Sequence, residues 1–102
     1  MGADLYGVKG RYFRDSYNSS DLLWKFGLSW WANVLPMAKD GSLSPDSARC
    51  LLDWMTEREE TFVSQVAALA ERDREYFREK YDTFRDFLNE AIAAGEPVAC
   101  SL

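Results

Sequence analysis

Apolar side chains recur at helical spacing along the C-terminal half of the chain, and this run constrains the fold more than any other feature. The positions are Phe62, Val66, Leu69, Tyr76, Phe77, Phe84, Phe87, Leu88 and Ile92. The run ends at Gly95-Glu96-Pro97, where a glycine suited to a left-handed cap precedes a proline. A helix over residues 57–94 would be about 56 Å long, which exceeds a compact domain of this size. We therefore expect a long helix that either bends near residues 70–73 or is partly covered by a second copy of the chain.

The first of two shorter helices is predicted over residues 20–35. Pro36 ends it because proline cannot continue a helical backbone. Residues with capping side chains precede it, namely Asn18, Ser19 and Ser20. The helix surface is apolar except for one narrow polar strip, which predicts a place at the centre of the core or at an interface with a partner. Gly27, inside this helix, indicates that another backbone passes close by.

The second short helix is predicted over residues 45–55. Ser44 is a suitable N-cap, and Pro45 fits the first helical position. The sequence Thr56-Glu57-Arg58-Glu59 fits a capping box, so a new helix is expected to begin there. The apolar positions of the helix over 45–55 are in phase with those of the helix that follows, so periodicity alone does not show a break between them.

The fold predicted from these patterns is a single mainly α (all-alpha) domain covering residues 1–102. It has about three helices, roughly at 20–35, 45–55 and 57–94. Residues 1–18 contain three glycines and no helical period, so an irregular or short extended segment is expected there. A chain of 102 residues supports one hydrophobic core.

The residue types that most enzymes and metal sites need are scarce. The chain has no histidine, which excludes Ser/His and Cys/His nucleophile pairs and every histidine-bearing metal site. Cys50 and Cys100 lack the spacing of a metal site or a disulfide framework. We therefore predict a non-enzymatic protein with no cofactor and no metal.

The location predicted from the sequence is the cytoplasm. The first residues lack the positively charged and apolar regions of a secretory signal. No apolar run approaches the length of about 18 residues that spans a membrane. No membrane partner is expected.

The net charge of −5 is unevenly distributed along the chain. Residues 1–49 hold six basic and five acidic side chains, whereas residues 50–102 hold six basic and twelve acidic ones. The acidic excess therefore belongs to the C-terminal half.

Six carboxylates of the predicted long helix fall within an arc of about 100° on its wheel. They are Glu71, Glu75, Glu79, Asp82, Asp86 and Glu90, and we call them the acidic stripe. Two interpretations stay open. The stripe is either a solvated face with intrahelical ion pairs to Arg74, Arg78 and Arg85, or a binding site for a basic surface of a protein partner. Like charges four residues apart weaken a helix, which is unexpected for a purely structural face.

Basic and aromatic residues alternate near the N-terminus, a combination typical of single-stranded nucleic-acid binding. They are Lys9, Arg11, Tyr12, Arg14 and Tyr17. Three basic residues in an acidic chain make this a weak signal. The preferred interpretation is that the segment folds over the tryptophan-rich first helix and that Arg11 or Arg14 pairs internally with carboxylates.

Several short blocks of sequence form a pattern of the type RYFRDSYN…LSWW…CSL. They are RYFRDSYN at 11–18, LLW at 22–24, GLSWW at 27–31, GEP at 95–97 and CSL at 100–102. Together they resemble a family of small uncharacterised proteins from bacteria and their phages. The resemblance implies no activity and no site residues. A phage setting favours a protein that binds and blocks host machinery.

The function predicted from the sequence is that of a small acidic interaction protein, of the kind that phages use as inhibitors. Its acidic stripe is predicted to bind a basic surface of a nucleic-acid-handling or defence protein. The first alternative is a structural subunit of a helical homo-oligomer, such as a homodimer. The second alternative is weak nucleic-acid binding through residues 9–17, although direct nucleic-acid binding is not favoured by the acidic composition.

Overall fold

The computed structural model describes residues 2–16 and 21–102 and shows an α+β fold. The strands are β1 (Gly2–Tyr6), β2 (Tyr12–Ser16), β3 (Ser42–Leu43) and β4 (Val98–Ser101). The α-helices are α1 (Leu22–Lys25), α2 (Pro45–Glu57), α3 (Glu59–Ala67) and α4 (Glu71–Ala94). Short 3-10 turns occur at Val8–Gly10 and Leu35–Met37, and a π-helical turn at Trp30–Val34.

The four strands form one antiparallel sheet in the order β2-β1-β4-β3. Leu5 of β1 lies opposite Phe13 on one side and Cys100 on the other, so the sheet joins the N-terminal hairpin to the last strand. Side chains on one face of the sheet are buried, as in Leu5 and Val98. Phe13 on that face stacks on Phe84 of α4, with ring centroids 4.3 Å apart.

The predicted mainly α fold is therefore wrong, and the N-terminal segment expected to be irregular or short and extended contributes two strands to the sheet. Residues 2–16 form a hairpin of two five-residue strands. Asp4 of β1 pairs with Ser101 of β4, at the other end of the chain. The sheet depends on this long-range pairing, which local periodicity cannot show.

The predicted helix over 20–35 is also wrong, because α1 ends at Lys25. Gly27 has φ 73°, the left-handed conformation that ends a helix, and a Cβ added at this position would meet no atom within 4 Å. Gly27 therefore turns the chain rather than accommodating a neighbouring backbone. Ser29 is extended, and its hydroxyl accepts a hydrogen bond from the backbone N–H of Ala32 to begin the π-helical turn. The capping candidates at 18–20 lie outside the described residues, and Asp21 caps α1 instead.

The predicted helix over 45–55 is present as α2, which continues to Glu57. The Ser44 hydroxyl accepts a hydrogen bond from the N–H of Ser47 at 3.1 Å, which confirms Ser44 as the N-cap. The predicted helix over 57–94 is not continuous: α3 begins at Glu59, and a break separates it from α4 beside the bend expected near residues 70–73. The chain leaves the helical conformation between α3 and α4, where Ala70 is extended (φ −63°, ψ 154°). The left-handed cap at Gly95 (φ 65°) is confirmed.

The break between α3 and α4 removes the excess length that the unbroken helix implied. The 24 residues of α4 correspond to a helix about 36 Å long. The longest dimension of the molecule is 37 Å. A second copy of the chain is therefore not needed to cover α4. Among the described residues, no helix is both long and apolar enough to cross a membrane.

Candidate protein interface

Helix α4 divides its surface between the core and solvent. Six of its side chains are buried, namely Phe77, Tyr81, Phe84, Phe87, Leu88 and Ala91. The carboxylates of the acidic stripe lie on the opposite side, because at 100° per residue their arc is centred about 180° from the buried face. All six acidic residues are exposed. The structure therefore brings the whole stripe together on one accessible face.

Two members of the acidic stripe are paired with arginines. Asp82 accepts a hydrogen bond from Arg85 at 2.6 Å, and Glu90 pairs with Arg11. The other four are Glu71, Glu75, Glu79 and Asp86. Within residues 2–16 and 21–102, none of these four has an ion pair within 4.0 Å. Most of the negative charge on this face is therefore uncompensated.

The arginines beside the stripe are used mainly to join α4 to its surroundings. Arg74 donates to the backbone carbonyl of Leu69 at 2.9 Å. Arg85 lies 3.7 Å from the Glu59 carboxylate and 4.6 Å from the Tyr81 ring centroid. Within the described chain, the interpretation of the stripe as a face filled with intrahelical ion pairs therefore applies to one pair only, Asp82 with Arg85.

The predicted basic and aromatic segment does not form one surface. Arg11 is directed to Glu90 of α4, whereas Tyr12 and Arg14 both hydrogen-bond Asp4 on the exposed face of the sheet. Lys9 is exposed in a turn with φ 55°. Tyr17 lies outside the described residues. The predicted internal pairing of Arg11 or Arg14 is confirmed for both side chains, and it neutralises two of the three cations available for nucleic acid.

A charge cluster that the sequence did not reveal lies beneath α1. Asp15 of β2 is only 1% exposed. Its carboxylate accepts hydrogen bonds from the backbone N–H groups of Leu22 and Leu23 and from the indole N–H of Trp30, at 3.0, 3.2 and 2.8 Å. Asp15 therefore holds the start of α1 and the π-helical turn against the sheet.

Lys80 of α4 provides the positive charge of this cluster. Its Nζ lies 3.0 Å from Asp15 Oδ1 and 2.5 Å from Asp21 Oδ1. Burial opposes the charge on Lys80, but the hydrogen bond to Asp21 and the charge of Asp15 raise the pKa of Lys80 above its usual value. Lys80 is therefore an ammonium at neutral pH, which makes it a structural cation rather than a nucleophile.

Stability is expected to depend on pH through Asp15. Burial raises the pKa of Asp15 from 3.8 to about 6, so the folded protein binds a proton that the unfolded chain releases. The stabilisation that comes from protonation of Asp15 is complete below pH 3.8 and is lost as the pH rises through 6. Relative to Asp15→Asn, the wild type should gain about 1 kcal/mol between pH 7 and pH 5 in urea unfolding.

The other titrating groups of the cluster, Asp21 and Lys80, do not change the pH range over which stability is expected to vary. Burial raises the pKa of Asp21, but hydrogen bonds from Asp15 and Lys80 hold it below its usual value of 3.8. The pKa of Lys80 is raised above 10.5. Both groups keep their charge from pH 5 to pH 7. Parallel pH profiles for the wild type and Asp15→Asn would contradict the assignment to Asp15.

The cysteines and acidic side chains offer no evident reaction centre among the described residues. Cys50 and Cys100 are free thiols, and burial raises the pKa of Cys100 to about 11, which keeps it protonated. In the part of the chain that the structure describes, no three side chains of His, Cys, Asp or Glu are grouped to hold a metal ion.

No family model, curated protein or solved structure matches the chain. The resemblance to small bacterial and phage proteins stays a prediction.

Proposed function

We propose that this protein is a non-enzymatic interaction protein that binds a basic surface of another protein through the acidic stripe of α4. The observation that carries the proposal is the set of four exposed carboxylates without an ion-pair partner among the described residues. The stripe extends about 28 Å along the helix, a length comparable to one side of a standard protein interface.

The fold alone does not account for this arrangement of charge. Glu71, Glu75 and Glu79 are spaced four residues apart, and like charges at this spacing destabilise a helix by a few tenths of a kcal/mol per pair. The buried face of α4 and the charge cluster of Lys80 with Asp15 and Asp21, which we call the Lys80 cluster, hold the helix in place despite this repulsion. The uncompensated charge is therefore available to attract a cationic partner over a distance of about one Debye length.

The partner class that fits is a protein with a basic groove or patch. Successive carboxylates of the stripe rise by about 4.5–6 Å along the helix axis, so the stripe presents a row of closely spaced negative charges as a nucleic-acid backbone does. A protein that binds nucleic acid has a basic surface suited to such a row of charges, so the proposed partner is a nucleic-acid-handling protein or a defence protein of that kind. Occupation of that surface would block it, which gives the protein the role of an inhibitor.

Charge reversal tests the proposal. In the variant Glu75→Lys/Asp82→Lys/Asp86→Lys, retention of host proteins by the immobilised protein at low salt is expected to be lost. The wild type should release the same proteins at high salt, because the attraction between exposed charges is screened. Retention is measured by quantitative mass spectrometry of the eluates.

A matched control separates the position of the charges from net charge. Asp53, Glu57 and Glu96 are exposed and lie outside the stripe, so their replacement by lysine changes the net charge equally. This control is expected to retain the partner. Equal loss in both variants, or equal retention, would show that the stripe is not the binding face. Circular dichroism spectra establish that both variants are folded.

A further inference from the structure

An apolar groove lies between α3 and α4, directly beside the acidic stripe. It consists of two adjoining hollows of about 460 and 270 Å³. Both hollows are lined by Phe62, Val63 and Arg78. Val63 is 61% exposed, whereas its neighbours Phe62 and Val66 are buried in the core. The groove thus has an apolar floor at the protein surface.

The charged side chains around the groove have a negative excess. Glu71, Glu75 and Asp82 of the acidic stripe form part of its lining. Three arginines also line it: Arg85 is paired with two carboxylates, whereas Arg74 and Arg78 have no ion pair within 4.0 Å among the described residues. The lining therefore holds four carboxylates, including that of Glu59, against three arginines, and the remaining carboxylates of the acidic stripe lie beside it.

From this charge pattern we infer that the partner binds through a basic amphipathic segment, with an apolar side chain seated over Val63 and flanking lysines or arginines paired with the stripe. The inference rests on the proposed function and adds the chemistry of the partner's contact segment. An apolar contact strengthens binding in a way that salt does not screen, whereas the stripe contributes the part that salt does screen.

The charge pattern also selects this occupant over two others. An acidic segment would lie beside the acidic stripe, in a groove whose lining has one more carboxylate than arginine, where like charges repel. A second copy of this chain would bring another acidic stripe to the same rim, with the same repulsion. A cationic segment with an apolar residue can place that residue against the apolar floor at Val63 and its positive charges beside the carboxylates of the acidic stripe.

The test uses two synthetic helical peptides of identical length and charge. Each carries lysines and arginines along one side, and they differ only at the central apolar positions, which are leucine in the first peptide and serine in the second. Binding is measured by fluorescence anisotropy, and the Val63 methyl signals are followed by NMR. The leucine peptide is expected to bind about tenfold more tightly and to shift the Val63 methyl signals.

Matched variants locate the contact. Val63→Ser is expected to remove most of the preference for the leucine peptide, whereas Leu35→Ser should keep it, because Leu35 is another exposed apolar residue (37%) away from the groove. The triple charge reversal of the stripe should weaken both peptides. Circular dichroism establishes that each variant is folded.

The outcomes separate this inference from the proposed function. Equal binding of the two peptides, weakened by the charge reversal, would overturn the groove inference and leave the proposed function supported. A leucine preference that depends on Val63 but not on the stripe would support the groove and contradict the proposed function. Absence of binding by either peptide would overturn the groove inference.

Discussion

Replacing Lys80 with methionine is expected to lower the free energy of unfolding at neutral pH by about 3–5 kcal/mol. The Lys80 side chain is 12% exposed and is the cation of the cluster with Asp15 and Asp21. Methionine keeps much of the apolar stem but removes the positive partner of the fully buried Asp15, which must then stay an unpaired anion or bind a proton at neutral pH. Urea unfolding followed by tryptophan fluorescence measures the loss.

Two comparisons show whether the buried charge causes the effect. Arg72→Met, at an exposed position of the same helix, is expected to change stability by less than about 0.5 kcal/mol. Lys80→Met combined with Asp15→Asn should recover much of the loss, because the uncompensated charge is then removed as well. An unchanged unfolding midpoint in Lys80→Met would exclude a stabilising role for the cluster.

Phe84→Ala is expected to lower the free energy of unfolding by about 3–5 kcal/mol. Phe84 is completely buried, stacks on Phe13 of β2 and lies 5.9 Å from the Trp30 ring between centroids. Its ring therefore joins α4 both to the sheet and to the π-helical turn. Removing it leaves a cavity that these neighbours cannot fill without moving apart. The loss is measured by thermal and urea unfolding.

The size of the replacement side chain provides the comparison. Phe84→Leu keeps most of the volume and should cost only about 1–2 kcal/mol. A gradual decrease in stability from Phe to Leu to Ala indicates a packing effect. Equal stability of all three proteins would show that the aromatic stack does not hold α4 to the sheet.

The elements that the sequence predicted well have local signals. Ser44 followed by Pro45 marks the start of α2, and Gly95 followed by a proline two positions later marks the end of α4. The break between α3 and α4 has no such signal, because Ala68, Leu69 and Ala70 all favour helices. Packing in three dimensions decides the conformation there.

The hairpin was not predicted because β2 has a charged residue, Asp15, at a buried position. In β2, Phe13 and Asp15 both point to the core. The alternation of apolar and polar residues that identifies a half-buried strand is therefore absent. The buried aspartate is acceptable only because Lys80 and three N–H groups surround it, and these come from distant elements.

One part of the candidate site could also be predicted from the sequence, and another part could not. The acidic stripe could be predicted because helix periodicity places side chains on faces, and α4 is regular across it. The Lys80 cluster could not be predicted, since Lys80 and Asp21 are 59 positions apart. The groove at Val63 depends on how α3 lies against α4, which the sequence pattern of either helix does not contain.

The position of β4 between β1 and β3 sets the order in which the sheet forms during synthesis. The hairpin of β1 and β2 emerges from the ribosome before β4, and an isolated two-stranded hairpin is marginally stable in water. Its pairing edge for β4 stays open until residues 98–101 have been translated and released from the exit tunnel. The nascent chain therefore completes its sheet only after translation of β4, and whenever the hairpin forms earlier, β1 has an unpaired edge that other chains can join.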